Sequence, residues 1–313
     1  MDKKRVLAVV GPTASGKTKL AVALAKRFDG EVISADSMQI YRTMSIATAK
    51  PTEEEMEGVP HHLIDFLDPS QPFSVSDYVR LAREKIDEIT GRGKLPVIAG
   101  GTGLYVDSLL NHVSFSEQRG DLALREALYE EAKKDNGETL YRYLCEIDPE
   151  AAKEIHPHNY VRLVRAVEVY RLTGKTLTQQ KKESRLEPPP YHSCMVGLNF
   201  RDRQKLYDRI NLRVDRMLED GLVDEAQEVL SAADLKTAYN AIGYKELKPY
   251  FAGELPLADC IDKIKQESRR YAKRQLTWFR RNPQICWFFP DEFDTFDNVI
   301  KNSQKYVETF FNL

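Results

Sequence analysis

Cysteine is scarce in this chain: there are four among 313 residues. Cys145, Cys194, Cys260 and Cys286 stand far apart, with no CxxC pair and no dense Cys/His cluster. That spacing argues against a zinc site and against a disulfide framework, and leaves free thiols in a reducing cytoplasm as the expectation. Net charge is nearly absent as well. A formal charge of -2 gives no global basic field, so any polyanionic partner has to be read by local patches. Long apolar runs are missing too. The one after the basic start MDKKR covers only Val6 to Val10, too short for a signal peptide or a membrane span. It reads instead as a buried strand, and no membrane partner is expected. Repeats and low-complexity tracts are absent. What remains is ordinary for a globular protein, 42% apolar and 30% charged, and long enough for one large core or two smaller ones.

The first third alternates strand-like and helical runs. Strands are expected at Arg5–Val10, Glu31–Ala35 and Leu95–Ala99, and helices at Lys17–Phe28 and Tyr78–Thr90, from apolar spacings of three and four. Strands separated by helices imply right-handed βαβ units and a parallel sheet. From about Ser114 the texture changes. Helices are expected at Ala123–Asp135, Gly137–Ile147, Pro149–Ile155 and Asn159–Thr173, with no strand, until the run 187–190 (EPPP) ends the block. His192–Asn199 and Ile285–Phe289 then read as strands among further helices. The expected architecture is α/β, a P-loop NTPase-like parallel sheet flanked by helices. Its core domain spans 1–113 and 191–313, and an all-helical insertion domain spans 114–190.

The strand at Arg5–Val10 leads into Gly11-Pro12-Thr13-Ala14-Ser15-Gly16-Lys17-Thr18, which fits G-x-x-x-x-G-K-[ST] at every fixed position. Gly11 and Gly16 let the backbone curl so that N–H groups point inward. The following helix adds its partial positive charge. Lys17 supplies a point charge, and the Thr18 hydroxyl suits Mg²⁺, the expected cofactor. The motif specifies a phosphate chain, not a nucleotide. A GTPase would need N-K-x-D, which is missing; a small-molecule kinase stays open.

Other polar residues converge on the same rim by topology. Asp36 follows the second strand, at the C-terminal end where open α/β sheets bind ligands. It suits a magnesium partner or a proton-accepting base, or simply a cap for the next turn. Thr102, after the third strand, reaches the same rim. Lys205, Arg209, Arg213 and Arg216 form one helical stripe, either a phosphate-directed arginine pair or a solvated, salt-bridged face. Residues 265–281 (KQESRRYAKRQLTWFRR) interleave basic and aromatic side chains. Arg270, Arg274 and Arg281 share one expected side, suited to a nucleic-acid backbone, with Leu276 and Phe279 towards the core. Arg162 and Arg165 form a weaker basic pair.

Taken together, GPTASGKT (11–18), ISADSMQIYRTMSIATAKP (33–51), PHHLID (60–65), DPSQPFSVSDY (68–78), PVIAGGTGLY (96–105), IHPHNYVRLVRAVEVY (155–170), GKTLT (174–178), AIGYKEL (241–247) and YAKRQLTWFR (271–280) resemble the tRNA dimethylallyltransferases, also called tRNA isopentenyl-pyrophosphate transferases. They run in family order nearly end to end. The resemblance implies transfer of the five-carbon unit of dimethylallyl diphosphate to N6 of the adenosine 3′ of the tRNA anticodon, with loss of pyrophosphate. It implies that Gly11, Pro12, Thr13, Ala14, Ser15, Gly16, Lys17 and Thr18 cradle diphosphate and Mg²⁺, and that Asp36 accepts the N6 proton. Ser37, Met38 and Gln39 would contact the nucleotide, and Thr102 would sit beside the reacting centre. Arg213 would meet the diphosphate, with Arg209 one turn before it. Arg125 and the run Val161, Arg162, Leu163, Val164 and Arg165 match RNA-contacting positions, and Arg274 and Arg281 would add to them. The lack of a C2H2 spacing points to the bacterial type, a cytoplasmic monomer. Prenylation of free AMP, ADP or ATP and P-loop kinase chemistry are the alternatives.

Overall fold

The computed structural model describes residues 3–111, 121–183, 188–231, 235 and 237–313. The chain forms two compact units, one from Met1–Leu110 with Pro190–Leu313, the other from Asn111–Pro189. The expected change of texture at Ser114, and Glu187 at the end of that block, lie outside the described residues. In chain order the first stretch gives β1 (Arg5–Val10), α1 (Lys17–Arg27), β2 (Gly30–Ser34), α2 (Glu53–Met56), β3 (His61–His62), α3 (Val75–Gly91), β4 (Leu95–Gly100) and α4 (Gly103–Leu110). There follow α5 (Leu122–Lys134), α6 (Glu138–Ile147), α7 (Pro149–Glu154), α8 (Tyr160–Thr173) and α9 (Leu177–Glu183). The chain then gives β5 (His192–Leu198), α10 (Arg203–Glu219), α11 (Leu222–Ser231), α12 (Lys248–Phe251), α13 (Leu257–Phe279), β6 (Ile285–Phe288) and α14 (Phe296–Phe311).

In the first unit the strands form one six-stranded sheet in the order β3-β2-β4-β1-β5-β6, and every pair is parallel. A strand covered on both faces reads as an unbroken apolar run, and β1 does: its Val6–Val10 are fully buried. Leu7 stands between Val97 of β4 and Cys194 of β5. On one face Leu7, Val9, Leu20 and Leu24 pack with Val299, Val307 and Phe311 of α14. A separate cluster joins Ile40, Tyr41 and Met44 to Val214, Leu222, Tyr244 and Ile264. Because the strands are parallel, the loops after β1, β2 and β4 all leave one edge of the sheet. That edge carries the site.

The expected strands stand within a residue or two of their places. The helix expected from Tyr78 starts earlier, at Val75, because Ser74 and Asp77 form a reciprocal capping box ahead of it. The second unit is helical throughout its described residues. Its core gathers Leu128, Leu140, Leu144, Leu163, Val164 and Val167. Asp148 caps α7 by accepting from the Ala151 N–H, and its other oxygen accepts from the Thr178 N–H of α9. Glu168, with no exposed surface, is bound by Arg125 and Arg165, each at 2.9 Å.

Candidate active site

The loop after β1 is curled by three left-handed residues, Gly11 (φ 146), Ala14 (φ 60) and Gly16 (φ 96). A side chain at Gly11 would meet the Leu198 carbonyl oxygen at 2.4 Å, so only glycine lets the loop pass β5. Gly16 caps α1 without a side-chain hydrogen bond, which leaves the first N–H groups of that helix turned towards a cavity of ≈260 Å³. Thr13, Lys17 and Thr18 line it. Lys17 is half-buried and donates to the Pro12 carbonyl at 2.6 Å. Burial, helped by the neighbouring Arg213 and opposed by Asp36, brings its pKa down to about 7.

Arg213 on α10 reaches across to the loop. Its guanidinium donates to Thr13 Oγ1 at 3.2 Å and to the Ala49 carbonyl at 3.5 Å. Burial lowers its pKa. Arg209, one turn earlier, donates to the Ala14 carbonyl at 2.9 Å. The stripe therefore splits. Arg213, half-buried, and Arg209, itself exposed, both bond the phosphate loop; Lys205 and Arg216, also exposed, stand at the stripe's two ends.

Asp36 leaves the end of β2 and lines the same cavity. Its Oδ1 accepts from the Met38 and Gln39 N–H groups at 2.9 and 3.4 Å. The capping role and a place on the cavity wall thus coexist in one carboxylate. Ser37, Met38 and Gln39 also line the cavity. Thr102 stands beside this wall. Its hydroxyl accepts from the Ser37 N–H at 3.1 Å and donates to Ser37 Oγ at 3.4 Å. It directly follows Gly100 and Gly101 of the cavity wall, and its side chain also hydrogen-bonds that of Tyr271, another lining residue. Apolar side chains line the cavity as well, among them Ile210, Val214, Met217, Leu222 and Ile264.

Two residues of the site were not singled out from the sequence. Gln275, 5% exposed, accepts from the Thr13 N–H at 2.8 Å and donates to the Gly101 carbonyl at 3.0 Å. It thereby ties the loop after β1 to the loop after β4. A Cβ at Gly101 would stand 2.0 Å from its Nε2. The available signal was an amide at the 272, 275, 276, 279 spacing of the buried face of α13. Tyr271, one turn earlier, lines the cavity. Burial and the Asp36 charge push its phenol pKa up.

The residues expected to meet RNA fall into two groups. Arg274 is exposed at the cavity rim. Arg281 is exposed, but α13 ends at Phe279 with Arg280 as its cap. Arg281 therefore sits on the turn beyond the helix rather than on its face. Leu276 and Phe279 are buried, as the pattern required. Arg125 and Val161–Arg165 belong to the helical unit. Leu163 and Val164 are core residues there, 0% and 1% exposed, so their side chains cannot meet a ligand. The helical period turns them inward while Val161, 67% exposed, Arg162 and Arg165 face solvent. Among the described residues no cluster of three or more His, Cys, Asp or Glu is placed to hold a metal ion.

The chain is similar to known proteins over nearly its whole length. The profile of the family "IPP transferase" matches residues 39–282, and that of "Isopentenyl transferase" matches residues 4–68. The tRNA dimethylallyltransferase of Thermoanaerobacter sp. (strain X514) is 50% identical over 306 residues, 97% of each chain. The tRNA dimethylallyltransferase of Bacillus subtilis (strain 168) is 50% identical over 288 residues, 91% of each. Among solved structures, the tRNA isopentenylpyrophosphate transferase of Bacillus halodurans superposes with a TM-score of 0.74 at 46% identity, covering 99% of this chain and 97% of that one. A eukaryotic dimethylallyltransferase acting on tRNA gives 0.83 at 28% identity, covering 98% and 80%.

Proposed function

The chain belongs to the IPP transferases, enzymes that prenylate tRNA, and we propose that it moves the dimethylallyl group of dimethylallyl diphosphate to N6 of the adenosine 3′ of the anticodon. The observation that carries this reading is the convergence of Lys17, Arg213 and Asp36 on one cavity that is also lined by apolar side chains. Adenine N6 is a weak nucleophile, because its lone pair is delocalised into the ring. An allylic diphosphate compensates, since its C1 develops cation character as the C–O bond breaks. The electron pair leaves with pyrophosphate, N6 forms the new C–N bond, and Asp36 takes the N6 proton. Lys17, Arg213 and the loop amides stabilise the charge growing on the leaving group. The apolar part of the lining suits the five-carbon unit, and Tyr271 and Gln275 add polar groups to the wall.

Mg²⁺ fits the donor set. It is commonly held by one or two side chains with substrate phosphates and water; here the Thr18 hydroxyl at the open helix end would hold it. When bound it would neutralise part of the diphosphate charge. Reaching N6 requires the adenosine to be extruded from its stack, so recognition falls on an unpaired loop. Arg274 at the rim, and Arg125, Arg162 and Arg165 in the helical unit, are the proposed RNA contacts. A cytoplasmic monomer completes the reading. It is supported by four free cysteines and a cavity lined by one unit of one chain. Among the described residues no helix is long and apolar enough to cross a membrane.

The test is mass spectrometry of nucleosides from unmodified tRNA incubated with the protein, Mg²⁺ and dimethylallyl diphosphate, beside tubes with AMP in place of tRNA or ATP in place of the donor. An adenosine that gains one dimethylallyl unit only with tRNA is expected. Product on AMP alone would move the acceptor to free nucleotides. ATP consumption without prenyl transfer would return the loop to nucleotide chemistry.

A further inference from the structure

One wall of the cavity is built from irregular chain. Residues Arg42–Lys50 form turns rather than helix or strand, with Thr43 and Ala49 at positive φ (63 and 49). Such a segment has no ladder to order its peptide groups, so each N–H and C=O needs another partner. The carbonyls of Thr48 and Ala49 accept from the Gln39 amide at 3.2 and 3.0 Å. The Ala49 and Lys50 N–H groups turn back to the Ile46 and Ser45 carbonyls, both at 2.9 Å, while those of Ser45, Ile46 and Ala47 are met from further away in the chain. Glu225 on α11 accepts from Ser45 N and Ile46 N through Oε2, both at 2.8 Å, and from Ala47 N through Oε1 at 2.9 Å. Successive N–H groups aimed at one point form an anion-binding nest, and this one is filled by a side chain of the same unit. The Tyr244 hydroxyl, itself fully buried, donates to Oε1 at 2.8 Å.

Glu225 and Tyr244 do not line the cavity, but Ala47, Thr48 and Ala49 do. The Ala49 carbonyl is one of the two acceptors of Arg213, the other being Thr13 Oγ1 in the phosphate loop. A continuous chain of contacts therefore runs from Glu225 through the 45–49 segment to the guanidinium. We propose that Glu225 is a positioning residue for the transfer reaction, holding the Ser45–Ala49 segment so that Arg213 stays aimed at the donor's diphosphate. This rests on the reading, given above, that Arg213 meets that diphosphate.

The test uses steady-state kinetics of the full chain with tRNA and dimethylallyl diphosphate. Glu225→Gln keeps the side-chain size but turns an amide N–H₂ towards the nest, leaving at least one backbone donor without an acceptor. We expect kcat/KM for the donor to fall by about 10–10²-fold, the scale of a misplacement transmitted to a reacting centre, while KM for tRNA moves far less. Tyr244→Phe is the control. It deletes one hydrogen bond to Glu225 and keeps the three backbone ones, so donor kinetics should stay within about threefold although the melting temperature drops. A double-mutant cycle with Arg213→Lys then decides. The combined loss should be well below the product of the single losses, because both changes disturb one chain of hydrogen bonds. If Glu225→Gln does not fold, Glu225→Asp, which keeps the charge one methylene short, enters the same cycle.

If the losses multiply, or if Tyr244→Phe slows the donor step as much as the Glu225 variant does, the positioning role is overturned while the diphosphate reading stands. If Arg213→Lys leaves donor kinetics unchanged, that reading fails as well.

Discussion

Asp36 and Lys17 show how much a side chain's surroundings decide its chemistry. Asp36 holds the Met38 and Gln39 N–H groups through one oxygen, so its removal changes the turn as well as the proposed base. Asp36→Asn separates the two, since the amide oxygen still accepts those hydrogen bonds but cannot take a proton. We expect its single-turnover rate to fall on the order of 10²–10⁴-fold, the usual span for a positioned acid–base group, with tRNA affinity nearly unchanged. A fall of less than about tenfold would remove Asp36 from the proton transfer. For Lys17 the sign follows from its lowered pKa, about 7 against 10.5 for the unperturbed amine. Well above pH 7 the amine is then mostly neutral in the free protein. A bound diphosphate favours its charged form, so binding at pH 8 takes up about one proton, and affinity weakens as pH rises beyond 7. Calorimetry at fixed Mg²⁺, in two buffers of different ionisation heat, measures that proton. Zero uptake, or the same uptake in Lys17→Met, would contradict the assignment.

At the scale of elements, legibility tracked how local each signal was. β1, β4 and β5 are interior strands, and their apolar runs gave them away. β3 is a two-residue edge strand, His61–His62, too short for any period. The stripe on α10 was legible as a face from spacings of four, but its aim was not, because Arg209 and Arg213 meet partners in the loop after β1. Likewise VRLVR showed its basic residues, while the burial of Leu163 and Val164 depends on packing within the helical unit. Gln275 stayed hidden because Thr13 and Gly101 lie 262 and 174 residues away in sequence. Through that one side chain α13 fixes two loops, and Gly101 is the residue that makes room for it. Gly101→Ala should force the Gln275 amide aside and break both bonds. The expected cost is about 1–3 kcal/mol of stability, read as a lower denaturant midpoint, together with a raised donor KM. An unchanged donor KM would mean that the link between loops is structural only.

The molecule as a whole carries a formal charge of -2, so at neutral pH it does not draw RNA by a long-range field. Affinity has to come from a few local contacts, and the salt dependence then counts them. This distinguishes two readings of the basic segment at 265–281. Several of its charges already have partners: Lys265 pairs with Asp215, Arg270 with Glu267, and Arg269 donates to Asn211. Arg274 and Arg281 lie exposed beside Tyr271 and Trp278, within 5.7 and 6.0 Å of the ring centres. If they touch phosphates, Arg274→Ala with Arg281→Ala weakens binding about equally for every tRNA. The double change also flattens the plot of log affinity against log salt by about one unit for each phosphate that no longer meets an arginine. Filter binding between low and moderate salt measures the slope directly. A parallel shift at unchanged slope would mean that the pair supports the fold of the rim. Unchanged binding at every salt concentration would make it an ordinary solvated surface, leaving RNA recognition in the first unit to the cavity wall around Asp36.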